Sequence, residues 1–331
     1  MKKRIISLVV ILIAVVSCFS LTGCGKKTKT VESFPEKVAK LNSYKITGKL
    51  YTIFPSGTKE CLITSYYQKP NNYRVEIDNV NMNDKQIIIK NSEGVSVLIP
   101  SLNKTFQIKS EWPNASSYPY IFQSLANDIV KDEARIKKEV DGKQAVELKA
   151  QMHENALPST QIIVFNKETG YPDEVQVYDE NKKLITRFVV TDVKTDIEFN
   201  SDIFNAKTVL ESVALTYVDA EEHFERSITY PTYFPEGVSL KEENVSATSA
   251  IMNYGPTTSF TIVEEFVTKG DEVATTYIEG DIIVMGDGVI VVNDNNVFFY
   301  QQGLEYTIAS NVLSSLEMIK IGDSLLTAKE K

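Results

Sequence analysis

Short apolar segments, each closed by a turn signal, recur between residues 44 and 190 and limit the folds open to this chain. The extended segments cover 44–54, 60–68, 72–78, 86–90, 95–99, 105–109, 135–140, 145–150, 160–165, 174–178 and 184–190. Pro, Gly, Asn and Asp fill the breaks, as in Pro55-Ser56-Gly57 and Asp141-Gly142. Apart from the gap over residues 110–134, these gaps leave no room for the helical crossovers that parallel strands need. We therefore expect one long antiparallel sheet, and a sheet with so many strands tends to curl.

Two helices are predicted within this region. Residues 31–41 carry apolar side chains at helical spacing, and residues 117–130 carry a strong apolar face. Pro119 fits the first turn of the second helix, where no amide donor is needed. Such helices can cover the concave face of a curled sheet. The first domain is expected to span residues 31–210.

The pattern changes near residues 207–222, and a second set of strands follows. Strand signals cover 259–267, 274–278, 282–285, 289–292, 297–301 and 305–309. A final helix is predicted from about residue 311 to 321, with Ser310 or Asn311 as its cap. We expect a small α+β domain over residues 211–331, long enough for its own core.

The first 24 residues have the three-part layout of an export signal. Lys2-Lys3-Arg4 precede an apolar run from Ile5 to Phe19, and Leu21-Thr22-Gly23-Cys24 closes it. This ending resembles the lipobox of bacterial lipoproteins, in which the peptide is cut before the cysteine and the sulfur is acylated. An uncleaved membrane anchor is the alternative, but the run is shorter than the roughly 20 residues that cross a bilayer.

The signal predicts where the mature protein lies. We expect a signal peptide over residues 1–23, lipidation of Cys24 and a tether over 24–30 that holds the chain to the extracytoplasmic face of the cell membrane. The basic segment Lys26-Lys27-Thr28-Lys29 either lies at the lipid headgroups or forms a solvated linker.

Charge and cysteine content limit the partners and the cross-links that are expected for this protein. The chain has 44 acidic and 35 basic side chains, and loss of residues 1–23, which contain three basic residues and no acids, moves the net charge from −9 to −12. An acidic protein argues against a nucleic-acid partner, because phosphate binding needs a basic face. Only Cys61 remains as a free thiol, so no intramolecular disulfide is expected, and Cys61 is predicted to be a small buried residue.

Two hairpin sequences resemble the LolA-like lipoprotein-carrier fold. Tyr67–Glu76 contains a Lys-Pro turn before a strand bearing an Arg, and Asn91–Lys104 contains Glu-Gly and then Pro-x-x-Asn. From Gln86 to Asp132 the chain is similar to the sporulation and germination lipoproteins of the GerS and YdcC type. The two-part plan also resembles the RseB-type periplasmic regulators, which join a LolA-like domain to a smaller one.

The resemblance implies an α+β fold in which a curled antiparallel half-barrel is covered by helices. It also implies that the concave face binds a partner protein or an apolar ligand. The GerS-type proteins act in spore-envelope events with a cortex-modifying amidase, so an envelope protein of that kind is the implied partner. An acyl-chain ligand, as in the carriers, is one alternative, and an RseB-like envelope stress sensor is another.

No set of residues predicts catalysis. The two histidines, His153 and His223, lie 70 positions apart in different predicted domains, which argues against a histidine-based metal site or catalytic dyad. No nucleophile elbow, zinc-protease motif or phosphate loop is present. The segments 281–288 and 293–296 are interpreted as hairpin turns rather than as cation sites. We expect no enzyme, no metal and no cofactor.

The aromatic segment before the second helix is the candidate binding region. The rings of Trp112 and Tyr118 either close one end of the core or form the rim of a mobile plug over an apolar cavity. In the second interpretation, four further apolar side chains line that cavity. The candidate ligand- or partner-binding residues are Trp112, Phe106, Ile108, Tyr118, Phe122 and Leu125.

Overall fold

The computed structural model describes residues 30–79, 84–114, 116–150, 159–217, 228–270, 272–286 and 288–329. The expected signal peptide, Cys24, the tether up to residue 29 and both histidines lie outside these ranges. None of the helices in the described ranges is both long and apolar enough to cross a membrane.

Helices are few and strands are many. The helices are α1 Thr30–Lys40, α2 Phe122–Lys131, α3 Ala206–Ala214 and α4 Ser315–Lys329. The strands of the first part are β1 Ser43–Phe54, β2 Gly57–Gln68, β3 Asn72–Asn79, β4 Asp84–Asn91, β5 Gly94–Ile99, β6 Lys104–Lys109, β7 Ile136–Val140, β8 Lys143–Ala150, β9 Ser159–Phe165, β10 Pro172–Tyr178 and β11 Leu184–Thr195. Those of the second part are β12 Val238–Val245, β13 Ser249–Pro256, β14 Phe260–Phe266, β15 Ala274–Glu279, β16 Asp281–Met285, β17 Gly288–Val292, β18 Asn296–Gln301 and β19 Leu304–Ala309.

The strands form two large sheets. Sheet A has the order β15-β6-β5-β4-β3-β2-β1-β11-β10-β9-β8-β7. All its neighbours are antiparallel except β15, which pairs in parallel with β6. Sheet B has the order β12-β13-β14-β19-β18-β17-β16 and is antiparallel. Neither strand order closes on itself, so the predicted α+β fold with an open curled sheet and covering helices is confirmed.

Apolar residues cover both faces of sheet A. The concave face carries the main core, to which α1 and α2 contribute Phe34 and Phe122. On the other face, Val209 and Leu210 of α3 pack against apolar residues of β4 and β5. The alternating burial along β1 to β3 follows from the period of two in a strand, which presents every second side chain to the core.

Several element boundaries differ from the sequence prediction. Helix α2 begins at Phe122 rather than Ser117, because Ile121 has extended backbone and the segment before it runs along the core. Pro119 therefore lies outside the helix. Strands β12 and β13 and helix α3 were not predicted, and the last helix spans Ser315–Lys329 rather than residues 311–321.

Candidate functional site

A row of aromatic rings lines the concave face of sheet A. The centroids of consecutive rings in the row lie 5.0 to 6.3 Å apart. The row consists of Tyr44, Tyr67, Tyr73, Trp112, Tyr118, Tyr120 and Phe188. Three of these contacts are edge-to-face, a geometry that the ring quadrupoles favour, and the other three are tilted. The row gives the concave face a continuous apolar lining.

The segment that carries Trp112 and Tyr118 is fixed at several points. Lys90 Nζ of β4 donates to the carbonyl oxygen of Trp112 at 2.6 Å. The amide of Tyr118 donates to Ser124 Oγ in α2 at 2.8 Å. The hydroxyl of Tyr44 accepts from the amide of Phe122 at 3.2 Å, at the first residue of α2. These bonds hold the segment against the sheet in the structure described.

The six candidate binding residues are all buried, none more than 3% exposed. They do not form one pocket. Phe106 packs against Phe298 of sheet B, with 5.1 Å between ring centroids, and Trp112 and Tyr118 contact each other in the middle of the row. Phe122 stacks on Tyr171 at the far end, and Leu125 is buried with it in the main core. Their predicted role in binding stays a prediction, because in this conformation they are core residues.

The hairpin of β16 and β17 covers the concave face. Four of its side chains join the core of sheet A, namely Ile282, Val284, Val289 and Val291. The alternate four join the core of sheet B, namely Ile283, Met285, Ile290 and Val292. A strand buried on both faces reads as an unbroken apolar run, and Ile282–Met285 and Val289–Val292 are such runs. These runs correctly predicted two strands. We did not predict that the two strands form a layer shared by the cores of sheet A and sheet B.

Polar contacts fix the hairpin to sheet A. The buried side chain of Gln86 on β4 accepts from the amide of Val289 at 2.9 Å and donates to the carbonyl of Tyr300 at 3.2 Å. The hydroxyl of Thr52 at the end of β1 accepts from the amide of Gly286 at 3.0 Å. Gln86 therefore forms hydrogen bonds with backbone groups of two strands of sheet B, β17 and β18.

Two ion pairs join the sheets at the rim of this contact. Lys59 on β2 lies 3.2 Å from the carboxylate of Asp323 in α4, whose side chain is almost fully buried. Ser56 donates to the same carboxylate. Lys104 of β6 pairs with Glu305 of β19, with both side chains largely buried. A buried carboxylate is costly unless it is paired in this way.

Small spaces lie between the sheets. One cavity, of about 30 Å³, is bordered by Phe54, Gly286 and Asp323, and another, of about 20 Å³, by Tyr120, Thr186 and Val284. Each holds about one water molecule, whereas ligand pockets are typically about 300 Å³ or larger. The hydroxyls of Tyr120 and Thr186 have no hydrogen-bond partner in the described part of the chain, and burial raises the pKa of Tyr120 well above its usual range.

The described residues contain no group of three or more His, Cys, Asp or Glu side chains placed to hold a metal ion. Cys61 is 2% exposed, as expected for a small core residue. The segments 281–285 and 288–292 form the β16–β17 hairpin, in agreement with its interpretation as a hairpin rather than a calcium loop. The side chain of Asn293 accepts from the amides of residues 295 and 296, as in a plain turn.

Comparison with known proteins identifies a family and a curated relative of this chain. A family model described as "Sporulation protein YdcC-like" matches residues 1–204. The chain is 30% identical over 335 residues to the sporulation protein YdcC of Bacillus subtilis (strain 168), and the match covers 98% of each chain.

Several solved structures are similar to this chain at much lower sequence identity. MucB in complex with MucA(peri) has a TM-score of 0.30 at 13% identity, covering 89% of this chain and 95% of that one. A putative outer membrane lipoprotein-sorting protein domain from Vibrio parahaemolyticus has a TM-score of 0.35 at 14% identity, covering 55% and 97%. The structure of the CwlD amidase from Clostridioides difficile in complex with the GerS lipoprotein has a TM-score of 0.23 at 14% identity, covering 53% and 97%. All three scores are low, so they carry no argument about ligand or partner.

Proposed function

Because the chain belongs to the family of YdcC-like sporulation proteins, we propose that it is a non-catalytic binding protein of the cell or spore envelope that acts in sporulation or germination. The observation that carries this proposal is the 30% identity to a sporulation protein over 98% of both chains. The lack of any catalytic motif in the sequence supports a binding role.

The proposal includes a lipid anchor. The lipobox-like Leu21-Thr22-Gly23-Cys24 supports export, cleavage before Cys24 and acylation of its sulfur. Two acyl chains give stable attachment where one gives only marginal binding. The mature protein then works at the extracytoplasmic face of the cell membrane, within reach of partners on or near that membrane.

The proposed partner is an envelope protein, and a cortex-modifying amidase is the first class to test. The filled concave face supports a protein rather than an acyl chain. Two cavities at the contact between the sheets hold about 30 and 20 Å³, each too little for a fatty acyl group. An outer surface is therefore the docking site to test first.

A cross-linking pull-down from sporulating cells tests the function and the anchor together. We expect the wild type to fractionate with membranes and to enrich a cortex-modifying amidase over an unrelated tagged lipoprotein. Cys24→Ala should leave the membrane fraction and lose most of this capture. Cys61→Ala is the matched control, because it removes the other mature thiol, which is buried, and should change neither result. Absence of any enriched envelope protein would count against the proposed role.

An acyl-chain carrier is the second candidate, favoured by the apolar lining of the concave face. It requires the β16–β17 hairpin to leave that face, which exposes Val284, Val289 and their neighbours. Native mass spectrometry of protein purified from membranes is the test. A bound lipid of stoichiometric amount supports the carrier, and a lipid-free chain that takes up no labelled lipid argues against it.

A further inference from the structure

Strand β12 forms an exposed edge of sheet B. In the described part of the chain it has a neighbouring strand on one side only, which is β13, and seven of its eight residues are exposed. The amide of Ser246 donates to the carbonyl of Ser249 in the turn between the two strands. Because hydrogen-bonded and non-bonded pairs alternate along an antiparallel ladder, the backbone groups of Glu243 and Val245 point to the open side.

Exposed apolar side chains collect at this edge. Of the 11 large hydrophobic side chains that are exposed in the described residues, five lie on β12, on β13 or just before β12, namely Tyr230, Phe234, Leu240, Val245 and Ile251. The ring centroid of Phe234 lies 6.3 Å from that of Tyr254, which is the cross-strand partner of Leu240. The hydroxyl of Tyr230 donates to Glu243 at 2.6 Å. We call β12 together with these five side chains the β12 edge, and such a cluster is typical of an interaction site.

The charge of the β12 edge indicates the kind of partner. Residues 230–245 contain three acidic side chains and one basic side chain, all exposed, namely Glu236, Lys241, Glu242 and Glu243. The chain around them has the same sign, because residues 228–331 carry 15 acidic and five basic side chains, a net charge of −10. Complementary potentials steer and select partners, so a basic segment is favoured over an acidic one.

The other exposed strand edges suit such a partner less well. Strand β7 carries two lysines that pair with acids of α1 and β8, and lysines on an edge discourage pairing with another chain. The only acid of β15, Glu279, is already paired with Lys109. In β12 a bulge between Leu240 and Glu242 interrupts the ladder, so the regular stretch that is open to pairing is Glu242–Val245.

The two faces of this stretch define the segment that would bind. Side chains alternate along a strand, so Val245 and the Tyr230-bound Glu243 lie on one face and Glu242 and Asn244 on the other. We propose that the β12 edge binds, by strand addition, an extended partner segment in which apolar residues alternate with Lys or Arg. A second copy of this chain is disfavoured, because pairing two β12 strands brings their acids together. The proposal rests on the proposed function and names the docking surface of its protein partner.

The probe is a fluorescent peptide in which valine and lysine alternate over eight residues, the length of β12. Its binding to the purified full chain is followed by fluorescence anisotropy. One comparison peptide has glutamate in place of lysine, and another has the same composition with all lysines at one end. We expect the alternating valine-lysine peptide to bind at least about tenfold more tightly than either, and added salt to weaken its binding.

Two substitutions separate the backbone contribution from the charge contribution. Val245→Pro removes an amide that points to the open side, so peptide binding should be lost while the far-ultraviolet circular dichroism spectrum is kept. Glu242→Lys, on the exposed surface, should weaken binding about tenfold and decides the matter even if the proline variant does not fold. Glu139→Lys, the same charge change at an exposed position of β7, is the matched control and should leave binding unchanged.

Three results overturn the proposal. They are equal binding of the lysine and glutamate peptides, equal losses in Glu242→Lys and Glu139→Lys, and a dimer in light scattering that Val245→Pro disrupts, which would place a second copy at the edge. The cross-linking pull-down, repeated with Val245→Pro, keeps the proposed function separate. A partner enriched equally by the wild type and by this variant overturns docking at the β12 edge and leaves the proposed function intact. A wild type that enriches no envelope protein argues against the proposed function, and the peptide measurements still decide on the β12 edge.

Discussion

Asp128 on α2 is a carboxylate whose surroundings disfavour its charge. Burial raises the pKa of this carboxyl above its usual value, and hydrogen bonds from Gln161 and Ser117 only partly oppose that shift. Gln161 Nε2 lies 3.0 Å from Asp128 Oδ2, and Gln161 is fully buried with no hydrogen-bond partner for its Oε1 in the described residues. The carboxylate of Asp128 therefore lies beside the side-chain amide of Gln161, whose oxygen accepts no hydrogen bond from the described residues.

We predict that Asp128→Asn raises the melting temperature at pH 7. A raised pKa in the folded state means that folding favours the protonated carboxyl, so its stability contribution is present at low pH and is lost as the pH rises through the folded pKa. Asn stays neutral at every pH and can also offer a donor to Gln161. Thermal melts of both proteins between pH 4 and 8 measure the difference.

The advantage of the Asn variant should shrink as the pH falls towards 4, because a growing fraction of the Asp128 carboxyl is then protonated. Asp192→Asn is the control, because Asp192 is an exposed carboxylate on β11. The explanation fails if Asp128→Asn is less stable than the wild type at pH 7, which would mean that the charged form is the one that the fold requires.

At the scale of elements, the β16–β17 hairpin depends on a close approach to β1. Gly286 has φ near +60°, and a Cβ atom added there would lie 2.9 Å from the ring of Phe54. Gly142 in the β7–β8 turn has a similar φ of +71°, but nothing lies within 4 Å of its added Cβ. Comparing substitutions at Gly286 and Gly142 therefore separates the free-energy cost of the backbone conformation from the free-energy cost of crowding a neighbouring side chain.

We predict that Gly286→Ala destabilises the protein more than Gly142→Ala. Both variants carry the left-handed penalty of about 1 to 2 kcal/mol. Gly286→Ala adds overpacking against a buried ring, typically about 1 to 3 kcal/mol. Urea denaturation gives the free energy of unfolding of each variant, and equal losses would show that the hairpin moves away from Phe54 without cost.

Element prediction succeeded for most strands with a buried face and failed for β12, which is almost wholly exposed. Strands β1 to β3 have one buried face, so their period of two is visible in the sequence. Strand β12 has seven exposed residues out of eight and is held by its pairing with β13, which no local pattern reports. The start of α2 was misplaced because residues before Phe122 are apolar for a different reason, their burial along the concave face.

For the whole molecule, the buried aromatic residues could be predicted, but the surface that covers them could not. Trp112 and Phe106 are large and apolar, so their burial followed from the hydrophobic effect. Phe106 meets Phe298, 192 positions later, and a sequence pattern does not show which distant element fills a concave face. The unbroken apolar runs of β16 and β17 were the available signal, because they indicate strands buried on both sides.

Because of the shared hairpin, we expect the predicted boundary near residue 210 to divide the sequence but not the stability of the protein. Because β16 and β17 contribute to both cores, unfolding either sheet exposes apolar surface of the other. We therefore predict that the mature chain unfolds in one transition by heat and by urea, with fluorescence and far-ultraviolet circular dichroism giving coincident curves. Two separated transitions would instead show that the two sheets belong to domains that unfold independently.

Adjacent residues of β16 provide a sharper test of this coupling. Ile282 is fully buried in the core of sheet A, and Ile283 is 6% exposed in the core of sheet B. Truncation of either to Ala should cost about 2 to 5 kcal/mol, the range for large-to-small changes in a core.

If the sheets unfold as one unit, native-state hydrogen exchange should show both variants lowering the protection of β4 and of β14 alike. If the sheets are independent, Ile282→Ala would lower protection only in β4 and Ile283→Ala only in β14. We expect the first pattern, because each side chain stabilises the same hairpin, and neither sheet keeps a covered core without it.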